Sequence, residues 1–94
     1  MKKIYNDVPV RSVLFTVGGL QMIEIVDIRT YAGSGHEMFI YRGLEKDFSI
    51  FAELPKGYSM NMIDYASVWR IESVGDVLRI EINTPSEPYP WNNL

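Results

Sequence analysis

Apolar residues recur at helical spacing near the start of the chain. The positions i, i+3, i+4 and i+7, which lie on one face of a helix, are occupied by Val10, Val13, Leu14 and Val17. Asp7 can cap this helix, Pro9 lies in its first turn, and Gly18 ends it. The pattern therefore predicts a helix over residues 9–17.

The same segment also fits a strand. In that alternative, a hairpin over Gly18-Gly19 places Val13 opposite Glu24, so that a carboxylate lies among apolar side chains. A strand here would make the domain an all-β small barrel. The helix satisfies more of the rules for local structure, although valine and threonine are mediocre helix formers, and we adopt it.

Two segments rich in β-branched residues predict a hairpin in the middle of the chain. Residues 20–29 carry apolar side chains on both sides, as a central strand does, and residues 37–42 are again strand-like. Residues 30–36 between them contain two glycines and a serine, which is typical of a flexible turn. We expect the two strands to pair with each other.

A short second helix is predicted after Gly43. The apolar residues at helical spacing in this segment are Leu44, Phe48, Phe51 and Ala52. Asp47 is the expected cap, and the helix is expected to stop before Pro55. Residues 56–62 have no clear period and are predicted to form a loop.

The strongest local pattern is a hairpin over residues 68–82 with a two-residue turn at Gly75-Asp76. On one face this register pairs opposite charges, namely Glu72 with Arg79 and Arg70 with Glu81. On the other face it pairs Ile71 with Ile80 and Trp69 with Ile82. We expect the charged face to be wet and the apolar face to pack under helices. The aromatic residues predicted to lie in the core are Phe39, Phe48, Phe51 and Trp69.

Together these elements predict one α+β domain over residues 1–83. A four-stranded antiparallel sheet packs against the N-terminal helix and a short second helix, and the all-β small barrel is the alternative. Residues 84–94 hold three of the five prolines, which predicts an extended tail. Tyr89 and Trp91 in this tail are candidate contact residues for a partner. Alternatively, the tail folds back over the sheet and completes the core.

Composition and charge exclude several classes of function. Ninety-four residues, 47% of them apolar, suffice for one compact domain, which excludes large two-domain enzymes. The net charge of −3 argues against a general nucleic-acid binder. A nucleic-acid surface would need four scattered cations to converge, which are Arg11, Arg29, Arg42 and Lys46. The chain has no cysteine, and no run approaches the roughly 18 apolar residues of a membrane span. We expect a cytoplasmic protein with no membrane or nucleic-acid partner.

The residues capable of catalysis do not form a convincing set. His36 is the only histidine, and Ser34 and Glu37 beside it are the nearest approach to a nucleophile and an orienting acid. Neighbours in a flexible turn are poorly held in productive alignment. The acids are dispersed and there is no metal-binding spacing. We therefore predict no catalytic residue, no metal site, no cofactor and no enzymatic activity.

Glu24 is a carboxylate inside the most apolar predicted strand. The favoured interpretation is an ion pair with an arginine across the strand, for which Arg29 and Arg42 are candidates. The alternative is a partly buried acid in a binding pocket. Glu24 and His36 are thus the candidate pocket residues.

Three further features carry a resemblance in layout over residues 9–83. They are the aromatic-x-Gly step Tyr41-Arg42-Gly43, the Leu54-Pro55 end of the short segment, and the hairpin pattern of Val68, Ile71, Leu78, Ile80 and Ile82. In these features the chain resembles small α+β domains that phages and gut Firmicute mobile elements encode. The resemblance implies the setting of a phage or mobile-element accessory protein and implies no activity.

The expected function is a non-enzymatic interaction or accessory protein that engages another protein or a second copy of itself. It would act on a host protein if the mobile-element setting holds. The alternative is a small-ligand pocket between helix and sheet with Glu24 or His36 as the polar contact. Its expected lining is a tyrosine with methionines drawn from Met22, Met38, Met60 and Met62.

Overall fold

The computed structural model of the chain describes residues 3–4, 8–28 and 37–84. Its elements in chain order are β1 (Lys3–Ile4), α1 (Val10–Thr16), β2 (Met22–Asp27), β3 (Met38–Leu44), a 3-10 turn (Glu45–Asp47), α2 (Phe48–Phe51), α3 (Met60–Tyr65), β4 (Ser67–Val74) and β5 (Val77–Asn83). The architecture is α+β, as predicted, with the helices packed against one face of an open sheet.

The sheet has the strand order β1-β4-β5-β2-β3. Four strands form its body, and β1 adds a two-residue edge beside β4. Both predicted hairpins are present as the antiparallel pairs β2/β3 and β4/β5. The sheet is nevertheless mixed, because β2 and β5 lie side by side in parallel. Since the sheet stays open, the barrel alternative is not realised.

The first segment is a helix, and its apolar stripe faces the core as predicted. Val10 and Leu14 are buried, and Val13 and Val17 pack against the same core. Pro9 is the N-cap residue itself and lies one position before the first turn, with no side-chain cap. The Val10 amide donates to the Ala66 carbonyl at 3.0 Å, which ties the start of α1 to the end of α3. The predicted cap Asp7 lies outside the described residues.

The segment after β3 differs from the single helix that the spacing predicts. It divides into the 3-10 turn and the four-residue α2, and Asp47 makes no side-chain cap. Phe48 is buried, but Phe51 is 68% exposed, because so short a helix buries only one apolar position.

The loop predicted over residues 56–62 is also wrong in its second half, where α3 begins. The Ser59 side chain caps this helix by accepting from the Met62 amide at 3.2 Å. A six-residue helix is too short to show a clear apolar period.

The two faces of the sheet have the chemistry that alternation predicts. One face packs its buried isoleucines against the helices, and these are Ile23, Ile25, Ile40, Ile80 and Ile82. The opposite face, here called the charged face, carries the cross-strand pairs Glu72/Arg79 and Arg70/Glu81 in the predicted register. The charged face is not uniformly wet, since Val26 and Glu81 on it are each only 3% exposed.

Bulges displace two of the aromatic residues that were predicted in the core. In β4 the register shifts so that Val68, not Trp69, lies opposite Ile82. In β3 a similar shift falls between Phe39 and Tyr41. Trp69 and Phe39 are consequently exposed, and of the four predicted core aromatics only Phe48 is buried. A bulge reverses the alternation of side chains, which a period-2 pattern cannot show.

The aromatic-x-Gly step has a packing reason. The Tyr41 ring covers Gly43, and a Cβ at Gly43 would come 2.5 Å from the tyrosine Oη. The ring is held there because Oη donates to the Leu44 carbonyl at 2.7 Å and the Phe48 ring lies 5.0 Å away. Burial raises the pKa of Tyr41, and the Asp47 carboxylate adds to the rise. Glycine is therefore required at position 43 by close approach of a side chain.

Candidate functional site

Glu24 lies on the charged face, away from the helices. Its Cα partner in β3 is Arg42, and its Oε1 lies 3.9 Å from Nη1 of Arg79 in β5. Glu24 thus faces an arginine across the strand, but the ion pair is with Arg79 and not with the candidate Arg42. The other candidate, Arg29, lies outside the described residues. Of the other candidate residues, His36, Tyr89 and Trp91 lie outside the described residues.

Arg79 organises the charged face. Its Nη2 donates to Glu37 at 2.8 Å and its Nε donates to Glu81 at 3.3 Å. Arg70 forms a two-pronged pair with the same Glu81, at 3.1 and 2.8 Å. Burial disfavours the charged form of Arg79, but the bonds to Glu37 and Glu81 outweigh it and raise its pKa. These contacts join β4, β5 and Glu37, the residue before β3. The role of Arg79 is therefore structural.

Sequence reasoning overlooked a buried carboxylate, Asp27 at the end of β2. Asp27 is 0% exposed, and its Oδ2 accepts from the Tyr58 and Thr84 hydroxyls, each at 2.5 Å. The Thr84 amide adds a longer bond to Oδ1 at 3.4 Å. The sequence did contain a signal for this burial. Side chains alternate along a strand, and this alternation places Asp27 on the same side of β2 as Ile23 and Ile25. Through these hydrogen bonds, the buried Asp27 links the end of β2 to the end of β5 and to the loop before α3.

The most exposed apolar side chains of the helical layer lie outside the stripe of α1. Phe15 is 90% exposed and stands one turn after Arg11, off the stripe that Val10 and Leu14 form on α1. On α2, Ile50 is 69% and Phe51 is 68% exposed. A large apolar side chain that is almost wholly exposed beside a groove is a candidate contact residue. The available sequence signal was that Phe15 falls off the helical stripe.

A groove of about 350 Å³ lies beside Phe15, between α1, the 3-10 turn, α2 and α3. We call it the helical groove, and it is lined by Arg11, Leu14, Phe15, Glu45, Lys46, Phe48, Ser49 and Asp64. Its base is apolar, since Leu14 and Phe48 belong to the core cluster. A partner side chain placed there would touch the core of the domain directly.

Charges of both signs surround the helical groove. Nη1 of Arg11 donates to the Tyr65 hydroxyl at 2.6 Å, and its guanidinium carbon lies 5.4 Å from the centre of the same ring. Burial raises the pKa of Asp64, and Arg11 offsets part of the rise. Among the described residues, Glu45 and Lys46 form no ion pair. The two are therefore available to a partner.

A second groove, of about 410 Å³, lies between α1 and the sheet. We call it the sheet groove, and it is lined by Val8, Ser12, Val13, Thr16, Val17, Ile71 and Leu78. Its location matches the predicted ligand pocket, but its lining does not. None of the expected methionines lines it, nor does Glu24. The lining is aliphatic, and the Thr16 hydroxyl already donates to the Val13 carbonyl at 2.8 Å.

The described cations do not gather on one face. Arg11 and Lys46 line the helical groove, whereas Arg42 lies opposite Glu24 in the strand register, on the charged face. Within residues 8–28 and 37–84, no cluster of three or more His, Asp or Glu side chains could hold a metal ion. In the same ranges, no helix has both the length and the apolar character needed to cross a membrane. Comparisons of the chain with protein-family models, with curated proteins and with solved structures found no match.

Proposed function

We propose that this chain is a non-enzymatic protein-binding domain whose contact surface is the helical groove and Phe15. The observation that carries the proposal is the 90% exposure of Phe15 beside a groove with an apolar base. Fully burying one such side chain contributes about 2–3 kcal/mol to binding. Aromatic residues that project from a rigid element are typical centres of binding energy.

The arrangement of the charged groups supports a binding role over a catalytic one. Asp27 is sealed by Tyr58 and Thr84, and Glu81 is occupied by Arg70 and Arg79. Neither carboxylate lines the helical groove or the sheet groove. By contrast, Glu45 and Lys46 stand at the edge of the helical groove, where they can select a partner by charge.

The setting that we propose is an accessory protein of a phage or mobile element that acts on a host protein. It rests on the resemblance carried by Tyr41-Arg42-Gly43, Leu54-Pro55 and the β4/β5 hairpin pattern. Tyr89 and Trp91 in the tail are the proposed contact residues for this host protein.

A photo-crosslinking residue at Ser49 tests the contact surface. Ser49 is exposed and lines the helical groove, so a bound protein would lie within reach. In cells that express the chain, we expect an adduct with one defined protein, identified by mass spectrometry of its peptides. The adduct should disappear with Phe15→Ser, because the aromatic contact is lost.

The matched control places the same residue at Val74, which is exposed at the β4/β5 turn away from the helices. No adduct is expected there. The proposal fails if position 49 forms no adduct, or if the adduct is indifferent to Phe15→Ser.

A second candidate function is the binding of an aliphatic ligand in the sheet groove, and its aliphatic lining favours this class. Native mass spectrometry of the purified chain should then show a retained small mass. The mass should be lost with Val13→Gln, since Val13 is a partly buried lining residue. A bare chain that takes up no added fatty acid would contradict this candidate.

A further inference from the structure

We infer that the helical groove takes a second copy of this chain, with Phe15 of each copy seated in the groove of the other around a two-fold axis. The inference rests on the proposed function and names its partner. We base this on the position of Phe15, a protruding aromatic side chain that lies beside a groove with an apolar base on the same surface. A surface with both features can bind its own copy, since each copy gives and receives the same contact.

The size of the groove agrees with this occupant. About 350 Å³ is more than one phenyl side chain fills, and the Phe48 and Leu14 side chains at the base are apolar partners for a ring. Because the contact is mutual, two grooves are filled at once and no further copy can add. The assembly therefore stops at a dimer.

The charges of the groove are self-complementary. Arg11 and Lys46 supply two cations, and Glu45 and Asp64 supply two carboxylates, so the lining has no net charge in a chain of net charge −3. A second copy thus meets no repulsion here. A foreign partner of strong charge would gain little from such a lining.

Glu45 and Lys46 are the pair that can act between copies. They are adjacent on the 3-10 turn, and neither forms an ion pair among the described residues. Around a two-fold axis, Lys46 of one copy meets Glu45 of the other, and the reverse pair forms at the same time. Arg11 is occupied within its own chain by Tyr65.

Sedimentation equilibrium of the purified full chain at low salt provides the first test. The wild-type chain is expected to be a dimer at micromolar concentrations. Phe15→Ser removes two aromatic contacts from each dimer and should weaken it about 1,000-fold or more. The control Val74→Ser removes another exposed apolar side chain, and we expect it to leave the dimer unchanged. Circular dichroism checks that each variant is folded.

Charge reversal gives the sharper test. Glu45→Lys and Lys46→Glu should each weaken the dimer, because each sets like charges against each other across the axis. An equimolar mixture of the two variants should form a heterodimer that is tighter than either homodimer, and 0.5 M salt should remove this difference. Native mass spectrometry distinguishes the heterodimer if one variant is isotope-labelled.

Three results would overturn the inference: a wild-type monomer at every concentration, a dimer indifferent to Phe15→Ser, or a mixture no tighter than its parts. The crosslink at Ser49 separates this failure from failure of the proposed function. If the chain is monomeric but forms a Phe15-dependent adduct with a different protein, only the inference that the partner is a second copy would be overturned. A monomeric chain with no adduct would overturn both.

Discussion

Replacing Asp27 by alanine is expected to lower the free energy of unfolding by about 3 kcal/mol. The carboxylate is fully buried and accepts hydrogen bonds from the Tyr58 and Thr84 hydroxyls. Alanine would leave both donors without this acceptor in the interior, and each such donor costs roughly 1–3 kcal/mol. Chemical denaturation followed by circular dichroism measures the change.

Asp27→Asn is the matched variant for this prediction. Both hydroxyls donate to the same oxygen, so an amide oxygen in that place keeps these two bonds. The amide nitrogen in place of Oδ1 cannot accept the longer bond from the Thr84 amide. We expect Asp27→Asn to cost about 1 kcal/mol. Glu53→Ala, at an exposed position, should cost almost nothing. Equal losses for alanine and asparagine would contradict the role given to Oδ2.

Replacing Gly43 by alanine is expected to cost about 1–2 kcal/mol, although alanine has the higher strand propensity. The added methyl group would lie 2.5 Å from Tyr41 Oη and 2.9 Å from Cζ. The ring must therefore move away, which breaks the bond to the Leu44 carbonyl and loosens the contact with Phe48. Thermal and chemical denaturation both report this loss.

A double-mutant cycle isolates the clash. In a Tyr41→Leu background, Gly43→Ala should cost less than 0.5 kcal/mol, because no ring then covers the glycine. Gly18→Ala is the control, since a Cβ at Gly18 would meet no atom within 4 Å and its φ is not positive. An equal cost of Gly43→Ala in both backgrounds would show that the tyrosine is not its cause.

The pattern of apolar residues along the sequence does not identify which aromatic side chains are exposed. Pattern predicted Phe51 and Trp69 in the core, yet the structure leaves both in contact with solvent. Phe15, the centre of the proposed surface, was visible only as an apolar residue off the stripe of its helix. Which apolar residue remains outside depends on how many positions the neighbouring elements can cover. That number is a property of the packed layers.

Local order along the chain determined the helix α1, the two hairpins and the charge pairing of β4 with β5. These features depend on side chains within a few residues or across a tight turn, so a period of 3.6 or 2 and the turn at Gly75 specify them. Only the tertiary structure decided the parallel pairing of β2 with β5, the bulges that expose Trp69 and Phe39, and the burial of Asp27. Each of these depends on which distant segments of the chain pack against each other, and that choice minimises the free energy of the whole core.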